Sequence, residues 1–466
     1  MKREKMRNNR NRRVAAAIAV CSILLTAALS GCSGIQNMPE KQEADTINLN
    51  GIKKMTTVTY PEEPEFKNDD ERWDYSREKR EKLTESFAEA YHAFTVETTA
   101  ELLKDKDGNM VYSPISLYYA LALSASGAEG TTKEQILDIL GYETIEELAH
   151  DCKNSYEALY HVTNEKNNKP NEWGEYDSSS RYMLTLANSL WVDETLELND
   201  SFAERGADQF YADIFSGDLQ SQDMAEAKAL WIKERTNGVI EPKAEPAGAD
   251  ALLSLINTIY FYDEWINRFD KEKTKKDLFT CADGTEVACD FMNMEMGSHG
   301  FRKGENYTES SLALKNGTMA FYLPDEGVDV YELVSDADVL DQILYGDIDY
   351  TSGQVIWKVP KFSYGSELSL AGMLRTLGME EAFSENADFS GISDDGPLYI
   401  STVKQNAHLG IDEEGVEGAA FTEILYCGAA MPTDKAEMLL DRPFLYTVKN
   451  NGQILFVGIC DNPTER

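Results

Sequence analysis

The sequence is poor in basic residues. Its 466 residues include 82 aspartates and glutamates but 44 lysines and arginines, which gives a formal net charge of −38 at pH 7. An acidic surface of this size repels the phosphates of nucleic acids and anionic membrane surfaces, and it favours solubility. We therefore expect no nucleic acid partner. Because 42% of the residues are hydrophobic, the chain can still bury a sizeable core without covalent cross-links.

Cysteine patterns typical of metal sites or disulfide frameworks are also missing. The chain has seven cysteines without a C-x-x-C pair: Cys21, Cys32, Cys152, Cys281, Cys289, Cys427 and Cys460. Export and lipidation, argued below, would use the first two and leave five of the seven, an odd number. We therefore predict neither a disulfide framework nor a zinc site. The acids around Asp347 lack the glycine-centred spacing of a calcium loop, so we expect no metal and no other cofactor.

Catalytic signatures are absent as well. The chain contains neither G-x-S-x-G nor H-E-x-x-H, the patterns that position a serine nucleophile or a catalytic zinc. His92 and His408 lie in predicted secondary structure, where a structural role is favoured. Ser113 and Ser116 imitate a nucleophile pair, but helix capping and close packing beneath a sheet explain them better. The sequence therefore does not predict an enzyme.

An apolar run, residues 14–29, follows a basic N-terminal segment. The run ends in Leu29-Ser30-Gly31-Cys32, which resembles the bacterial lipobox, where small residues precede a cysteine that receives a diacylglycerol. We predict that residues 1–31 are a lipoprotein signal peptide and that Cys32 carries the lipid. Because several acyl chains anchor a protein stably, the protein is expected to be exported and lipid-anchored to the outer face of a bacterial membrane or the cell surface. The alternative is an ordinary signal peptide with an incidental cysteine.

The rest of the chain divides into a tether and one domain. Residues 32–80 are polar, acidic and interrupted by prolines, which predicts a flexible tether, and residues 81–466 form the folded domain. Residues 115–126 are apolar on nearly all sides, and residues 131–134 are typical of a capping box for a helix that ends at Gly141. Strand patterns follow at residues 252–262, 319–323, 355–359 and 398–411. Helices first and strands later, without an internal repeat, predict an α+β fold with mixed sheets.

The segment from Glu413 to Tyr426 alternates like a strand, although it begins with two acids, a glycine and small residues. Its even positions from Val416 onward carry no charge, whereas Glu417 and Glu423 lie on the other face. A loop needs no alternation, but a strand with one buried face does. We therefore predict a loop that can become a strand, which indicates a conformational trap.

Motifs along the chain resemble those of the serpin family of serine protease inhibitors. The matching stretches are residues 111–116, 127–132, 186–192, 231–240, 256–265, 413–420, 441–446 and 455–463. Each stretch is weak evidence alone, but their correct order over most of the chain after residue 85 makes the resemblance strong. It implies a serpin-like α+β fold, with helices packed on mixed β-sheets and an exposed reactive-centre loop, in a monomer.

The resemblance also implies a mechanism. A target protease cleaves the loop, forms an acyl-enzyme and is trapped when the loop inserts into the main sheet. The implied hinge comprises Glu413, Glu414, Gly415, Val416, Glu417, Gly418, Ala419 and Ala420. The implied sheet-opening region comprises Ser113, Ser116, Trp265 and Gln405. Gln405 stands where many family members carry a histidine, and Val416 and Gly418 also depart from the usual residues.

The family's usual spacing, counted from Glu413, places the reactive bond at Ala429–Ala430. Tyr426 and Met431 are the alternatives.

The loop also limits the target and the partners. No lysine or arginine occurs between Gly415 and Asp434, so we do not expect a trypsin-like target. Small Ala429 suits an elastase-like or subtilisin-like serine protease, whereas Tyr426 would suit a chymotrypsin-like one. The expected partner is thus a protease in a covalent complex, and the acidic composition argues against a heparin site. The alternative function is that of a non-inhibitory serpin acting as a surface binding protein.

Overall fold

The computed structural model describes residues 51–465, except residues 57, 63, 65, 67–68, 105–106, 162–182, 249–250, 347 and 417–433. The predicted signal peptide and Cys32 therefore lie outside the described residues. Helices predominate before residue 240 and strands after it, which confirms the predicted α+β class.

Most of the described helices lie in the first half of the domain, and three shorter ones lie in the second half. In chain order, the described helices are α1 (Asp69–Glu81), α2 (Glu85–Leu103), α3 (Pro114–Ala125), α4 (Gly130–Leu140), α5 (Ile145–Leu159), α6 (Asp200–Gln209), α7 (Gln222–Arg235), α8 (Val330–Val334), α9 (Ala337–Tyr345) and α10 (Ala371–Thr376). The apolar sequence of α3 predicts a buried helix, and Tyr118, Ala122 and Ala125 on it are completely buried. Among the described residues, no helix is both long and apolar enough to cross a membrane.

The first of two sheets is a mixed sheet of seven described strands, here called the main sheet. Its strands are β1 (Lys53–Lys54), β3 (Met183–Asp193), β4 (Ala212–Gly217), β5 (Leu253–Glu264), β11 (Phe362–Ser369), β12 (Lys404–Ile411) and β13 (Gly415–Val416). Within the described residues, they lie in the order β1-β4-β3-β5-β13-β12-β11. The apolar run at 252–262 thus belongs to an inner strand, as predicted, because β5 pairs with β3 along this run and with β13 at Asp263 and Glu264.

The other described strands form a second sheet. It consists of β2 (Met110–Tyr112), β6 (Lys275–Thr280), β7 (Glu286–Lys303), β8 (Tyr307–Ala313), β9 (Gly317–Pro324), β10 (Thr351–Pro360), β14 (Lys435–Leu439), β15 (Phe444–Asn450) and β16 (Gln453–Cys460). Its described strands follow the order β14-β10-β7-β8-β9-β15-β16-β2, with β6 paired to β7. All eight residues of β16 are buried, so this strand lies in the core between sheet and helices.

Two details of the predicted elements were wrong. Helix α4 begins at Gly130 rather than after Thr131, and Glu129 at its N-cap makes no side-chain capping bond. The predicted strand at 398–411 begins only at Lys404, because Ile400 N donates to Ala382 O at 2.8 Å, which directs this stretch away from the sheet.

The tether prediction also differs from the structure between residues 51 and 81. Lys53 and Lys54 pair with β4 at the edge of the main sheet, and Ile52 is buried. Residues 69–81 form α1. A polar, proline-containing composition predicted a flexible coil, but a few tertiary contacts far along the chain fix this stretch against the domain.

Candidate functional site: the loop hinge and the sheet beneath it

The predicted hinge begins a strand inside the main sheet. Gly415 and Val416 pair antiparallel with Glu264 and Asp263 of β5, and Val416 also pairs with Ile411 of β12. Val416 is completely buried. The described part of the loop therefore enters the sheet between β5 and β12.

Gly415 fits because it has no side chain. A Cβ atom at this position would lie 2.2 Å from the carbonyl oxygen of Asp263 and 2.8 Å from Cα of Glu264. Both are backbone atoms of an inner strand, so neither can rotate away. The close approach of two backbones at this point requires glycine.

A tight turn before Gly415 aims the chain into the sheet. The carboxylate of Asp412 accepts hydrogen bonds from Glu414 N at 2.8 Å and from Gly415 N at 3.3 Å. Asp412 N in turn donates to Gly415 O at 3.0 Å. Aspartate favours such turns because its side chain binds the backbone two residues ahead. Burial raises the pKa of Asp412 above its ordinary value.

Both hinge glutamates are held by cations. Glu413 Oε2 lies 2.7 Å from Lys361 Nζ, and Glu413 Oε1 accepts from Thr274 Oγ1 at 2.8 Å. Burial opposes the charge on Glu413, but the bonds from Lys361 and Thr274 outweigh burial and lower its pKa. Glu414 Oε1 lies 2.5 Å from Lys271 Nζ, and this bond raises the pKa of Lys271.

Trp265 joins the end of β5 to the same turn. Its indole Nε1 donates to Asp412 O at 2.9 Å, and its backbone N donates to Glu414 O at 2.9 Å. The side chain is 1% exposed and packs edge-on against Phe269. Trp265, which the resemblance assigns to the sheet-opening region, therefore bonds to the turn at which the hinge enters the sheet.

Two adjacent acids at the end of β5, Asp263 and Glu264, pair with the hinge strand β13. The carboxylate of Asp263 accepts from Asn316 N at 2.8 Å and from Glu264 N at 2.9 Å. Burial nevertheless raises the pKa of Asp263 to about 6. Glu264 is compensated by Lys315 at 2.5 Å and Arg268 at 2.9 Å. Asp263 therefore binds a proton at a higher pH than an ordinary aspartate does.

Beneath the main sheet, the N-terminus of α3 is bonded to both strands that flank the hinge. Gln405 of β12 accepts from Ser113 N at 2.8 Å and donates to Ser113 O at 2.9 Å. The hydroxyl of Ser116 bonds to Asn257 of β5. Ser113 Oγ accepts the backbone N–H of Ser116 and caps the helix. These serines act as structural hydrogen-bonding groups here, as the capping interpretation expected.

Sequence reasoning missed two members of this junction, Asn188 and Asn257. Asn257 Nδ2 donates to Asn188 Oδ1 at 2.5 Å, and Asn188 Nδ2 donates to Phe210 O at 2.7 Å, so the network continues to β3. A primary amide within an apolar inner strand was the available signal, because buried amides need partners.

A narrow cleft lies between β5 and β12, directly along the path of β13. Its lining residues are Thr236, Val239, Ile240, Ile259, Tyr260, Phe261, His408, Leu409 and Val416. The segment after α7, residues 236–240, thus lies against the cleft together with β5 and β12. His408 is partly buried, which lowers its pKa, and its Nε2 lies 3.0 Å from Ser363 Oγ.

The remaining predicted site residues lie outside the described residues. These are hinge residues Glu417, Gly418, Ala419 and Ala420, and the reactive-bond candidates Tyr426, Ala429, Ala430 and Met431. Among the described residues, no group of histidine, cysteine, aspartate and glutamate side chains is arranged to hold a metal ion.

Comparison with known proteins relates most of the chain to one family. Residues 89–463 match the family model described as Serpin (serine protease inhibitor). The chain is 30% identical over 367 residues to an alpha-1-antitrypsin-like protein of Tamias sibiricus, covering 77% of this chain and 84% of the relative. It is 29% identical over 392 residues to an uncharacterized serpin-like protein of Methanosarcina acetivorans, covering 81% and 86%.

Solved structures give the same result. The native state of the thermophilic serpin tengpin has a TM-score of 0.68 and 26% identity, covering 82% of this chain and 95% of tengpin. Thyroxine-binding globulin in complex with thyroxine has a TM-score of 0.66 and 25% identity, covering 81% and 99%.

Proposed function

Because the chain belongs to the serpin family, we propose that it inhibits serine proteases as a suicide substrate. The observation that carries the proposal is the position of Gly415 and Val416, which form the start of a strand between β5 and β12. An inhibitory loop must enter the sheet at this place after cleavage.

The proposed reaction begins as ordinary proteolysis. The serine hydroxyl of the protease attacks the carbonyl carbon of Ala429, the bond to Ala430 N breaks, and the new amine takes up the proton. The protease is then esterified to the N-terminal part of the loop. Extension of β13 between β5 and β12 carries it away from its substrate-bound position before water can hydrolyse the ester.

The sequence of the bait supports a target with a small or apolar specificity pocket. A trypsin-type pocket would keep its buried acid unpaired, because residues 415–434 contain no lysine or arginine. We therefore propose an elastase-like or subtilisin-like target that cleaves at Ala429–Ala430, with Tyr426 and Met431 as the alternative sites.

A protease panel tests this proposal. The protein is mixed with elastase, subtilisin, chymotrypsin and trypsin, and the products are separated on denaturing gels and identified by mass spectrometry. We expect a denaturant-resistant complex and a released C-terminal fragment that begins at Ala430. A fragment beginning at Cys427 would identify Tyr426 and a chymotrypsin-like target. Rapid complex formation with trypsin at a bond in this loop would contradict the specificity argument, and cleavage without any complex would favour the non-inhibitory alternative.

We also propose that the protein is a bacterial lipoprotein that acts at the outer face of the membrane. The support is the Leu29-Ser30-Gly31-Cys32 motif after an apolar run. In the expressing cell, Cys32→Ala should leave the protein unprocessed or released. Identical detergent phase partitioning of wild type and Cys32→Ala would contradict lipidation.

A further inference from the structure

Residues 51–60, here called the arm, form an additional edge of the main sheet. The backbone pairs with β4 at Lys53–Ser216 and Lys54–Phe215, and Met55 N donates to Ile214 O at 2.8 Å. Ile52 packs in a buried apolar cluster with Trp191, Phe215 and Trp231. The arm is thus bound to the sheet by both hydrogen bonds and apolar contact.

One buried acid connects the arm to α7. The side chain of Asp213 in β4 is 1% exposed. Its carboxylate lies 2.8 Å from Lys54 Nζ and 3.3 Å from Tyr60 OH, both on the arm. It also lies 2.7 Å from Arg235 Nη2 and 3.1 Å from Trp231 Nε1, both on α7. We refer to these five residues as the Asp213 junction.

The arm also covers the pair between Asp213 and Arg235. The ring of Tyr60 lies 4.9 Å from the guanidinium carbon of Arg235. The side chain of Asp213 is 1% exposed, whereas those of Arg235 and Lys54 are 27% and 40% exposed, so the carboxylate is the part of the junction that is shielded from water. An ion pair is stronger where water is excluded and weak where it is solvated. Removing the arm contacts would therefore hydrate the bond that fixes the C-terminal end of α7.

The end of α7 leads directly to residues 236–240, which line the cleft between β5 and β12, here called the insertion cleft. Thr236 follows Arg235, and its hydroxyl donates to Ile232 O at 2.7 Å and accepts from Ile240 N at 3.2 Å. This folds the segment 236–240 back onto the helix. Thr236, Val239 and Ile240 line the cleft with Val416. Extension of β13 past Val416 would bring it against this segment, and the bond from Thr236 to Ile232 O couples the segment to the end of α7.

We propose that the arm and the Asp213 junction form a latch that holds residues 236–240 over the insertion cleft and sets the rate at which the loop enters the sheet. The effect of the latch on loop insertion rests on the proposed inhibitory function. The latch itself is a property of the fold and can be measured without a protease.

The first test is hydrogen–deuterium exchange of the full chain in detergent. The variant Lys54→Met/Tyr60→Ala removes both arm contacts to Asp213. Backbone amides of residues 236–240 should exchange at least about fivefold faster than in the wild type. The matched control is Lys53→Met/Thr59→Ala, which makes the same charge change at neighbouring exposed positions and should exchange as the wild type does. Unchanged exchange in the latch variant would overturn the proposal.

The second test concerns insertion. The latch variant should form a covalent complex with its target protease several-fold faster than the control does. Faster exchange with an unchanged rate of complex formation would overturn the control of insertion by the latch. If exchange is faster in the latch variant but neither the variant nor the wild type forms a complex, the proposed inhibitory function is contradicted, whereas the latch is supported. Should circular dichroism show that the double variant does not fold, Lys54→Met and Tyr60→Phe each remove one arm contact to Asp213. At least one of these single variants should then exchange faster at residues 236–240 than the wild type does. Wild-type exchange in both single variants would overturn the proposal.

Discussion

At the scale of single residues, the hinge combines a glycine that has no room for a side chain with two acids that each form an ion pair. Gly415 lies against the backbone of β5, and Glu413 and Glu414 each have a lysine partner. The charged hinge is thus compatible with a buried position, because unpaired buried charges would be costly.

Gly415→Ala should separate the hinge from β5. The added Cβ would lie 2.2 Å from Asp263 O, and such overpacking typically costs about 1–3 kcal/mol. We expect the loop to insert more slowly, so that more inhibitor is cleaved per protease trapped. The stoichiometry of inhibition, read from densitometry of gels, should rise several-fold.

Gly297→Ala is the matched control, because a Cβ on this strand glycine would meet no atom within 4 Å. Equal stoichiometry for the two variants would contradict the close approach at Gly415.

Asp263 should make the stability of the native state depend on pH. Its pKa is about 6 in the fold against an ordinary value of 3.8, so between these values the native state binds more protons than the unfolded state. The contribution of Asp263 is therefore most favourable at low pH and is lost as the pH rises through about 6. The slope attributable to one such group is at most ~1.4 kcal/mol per pH unit.

The measurement compares melting temperatures of the wild type and Asp263→Asn between pH 5 and 7.5. The wild type should lose stability relative to the variant as the pH rises. A difference that stays constant over this range would show that Asp263 titrates elsewhere.

At the scale of elements, helix α3 connects β5 and β12, the two strands on either side of the hinge. Its first turn bonds to β12 through Gln405 and to β5 through Ser116 and Asn257. The glutamine, at a position where the family often has histidine, makes two bonds to one backbone residue, Ser113. An element that holds both strands resists their separation until these bonds break.

Gln405→Met should weaken this connection while it keeps the volume of the side chain. The change removes two hydrogen bonds and leaves the buried N–H and C=O of Ser113 without those partners, at a cost of about 2–4 kcal/mol. The melting temperature should fall by several degrees, as measured by circular dichroism. Gln342→Met, on the exposed side of α9, should change it little. A melting temperature for Gln405→Met equal to that of the control would contradict the role of the junction.

The elements show why local sequence predicts some features and misses others. Apolar 115–126 and Gly141, which ends α4 with a φ of 73°, were predicted because propensity and glycine geometry act locally. The capping box was wrong because α4 already begins at Gly130, which places Thr131 inside the first turn of the helix and not at its N-cap. Asn188 and Asn257 were missed since their partners come from distant elements. The docked arm was missed for the same reason, because Lys54 meets Asp213 only in the folded chain.

At the scale of the whole molecule, the proposed mechanism predicts that the cleaved protein is more stable than the intact native protein. The hinge is already inside the sheet at Val416, and further insertion would add a complete inner strand. Cleavage near Ala429 should therefore raise the melting temperature by an amount on the order of tens of degrees, because it releases strain stored in the uncleaved fold.

The experiment compares melting curves before and after limited proteolysis, with the cleavage site verified by mass spectrometry. An equal or lower melting temperature after cleavage would favour the non-inhibitory alternative.

The order of strands in the main sheet also has a consequence for folding. The strands on one side of β13 come from residues before 265, and those on the other side, β11 and β12, from residues after 361. Contacts close in sequence form early, whereas contacts that close long loops form late. The adjacent strands β11 and β12 can therefore pair before their side of the sheet meets β5. During that interval two unpaired inner edges face the solvent, and another chain can pair with either of them. The seam that allows the loop to enter the finished sheet is thus also the last part of the sheet to close, and the part at which two newly synthesised chains can join by mistake.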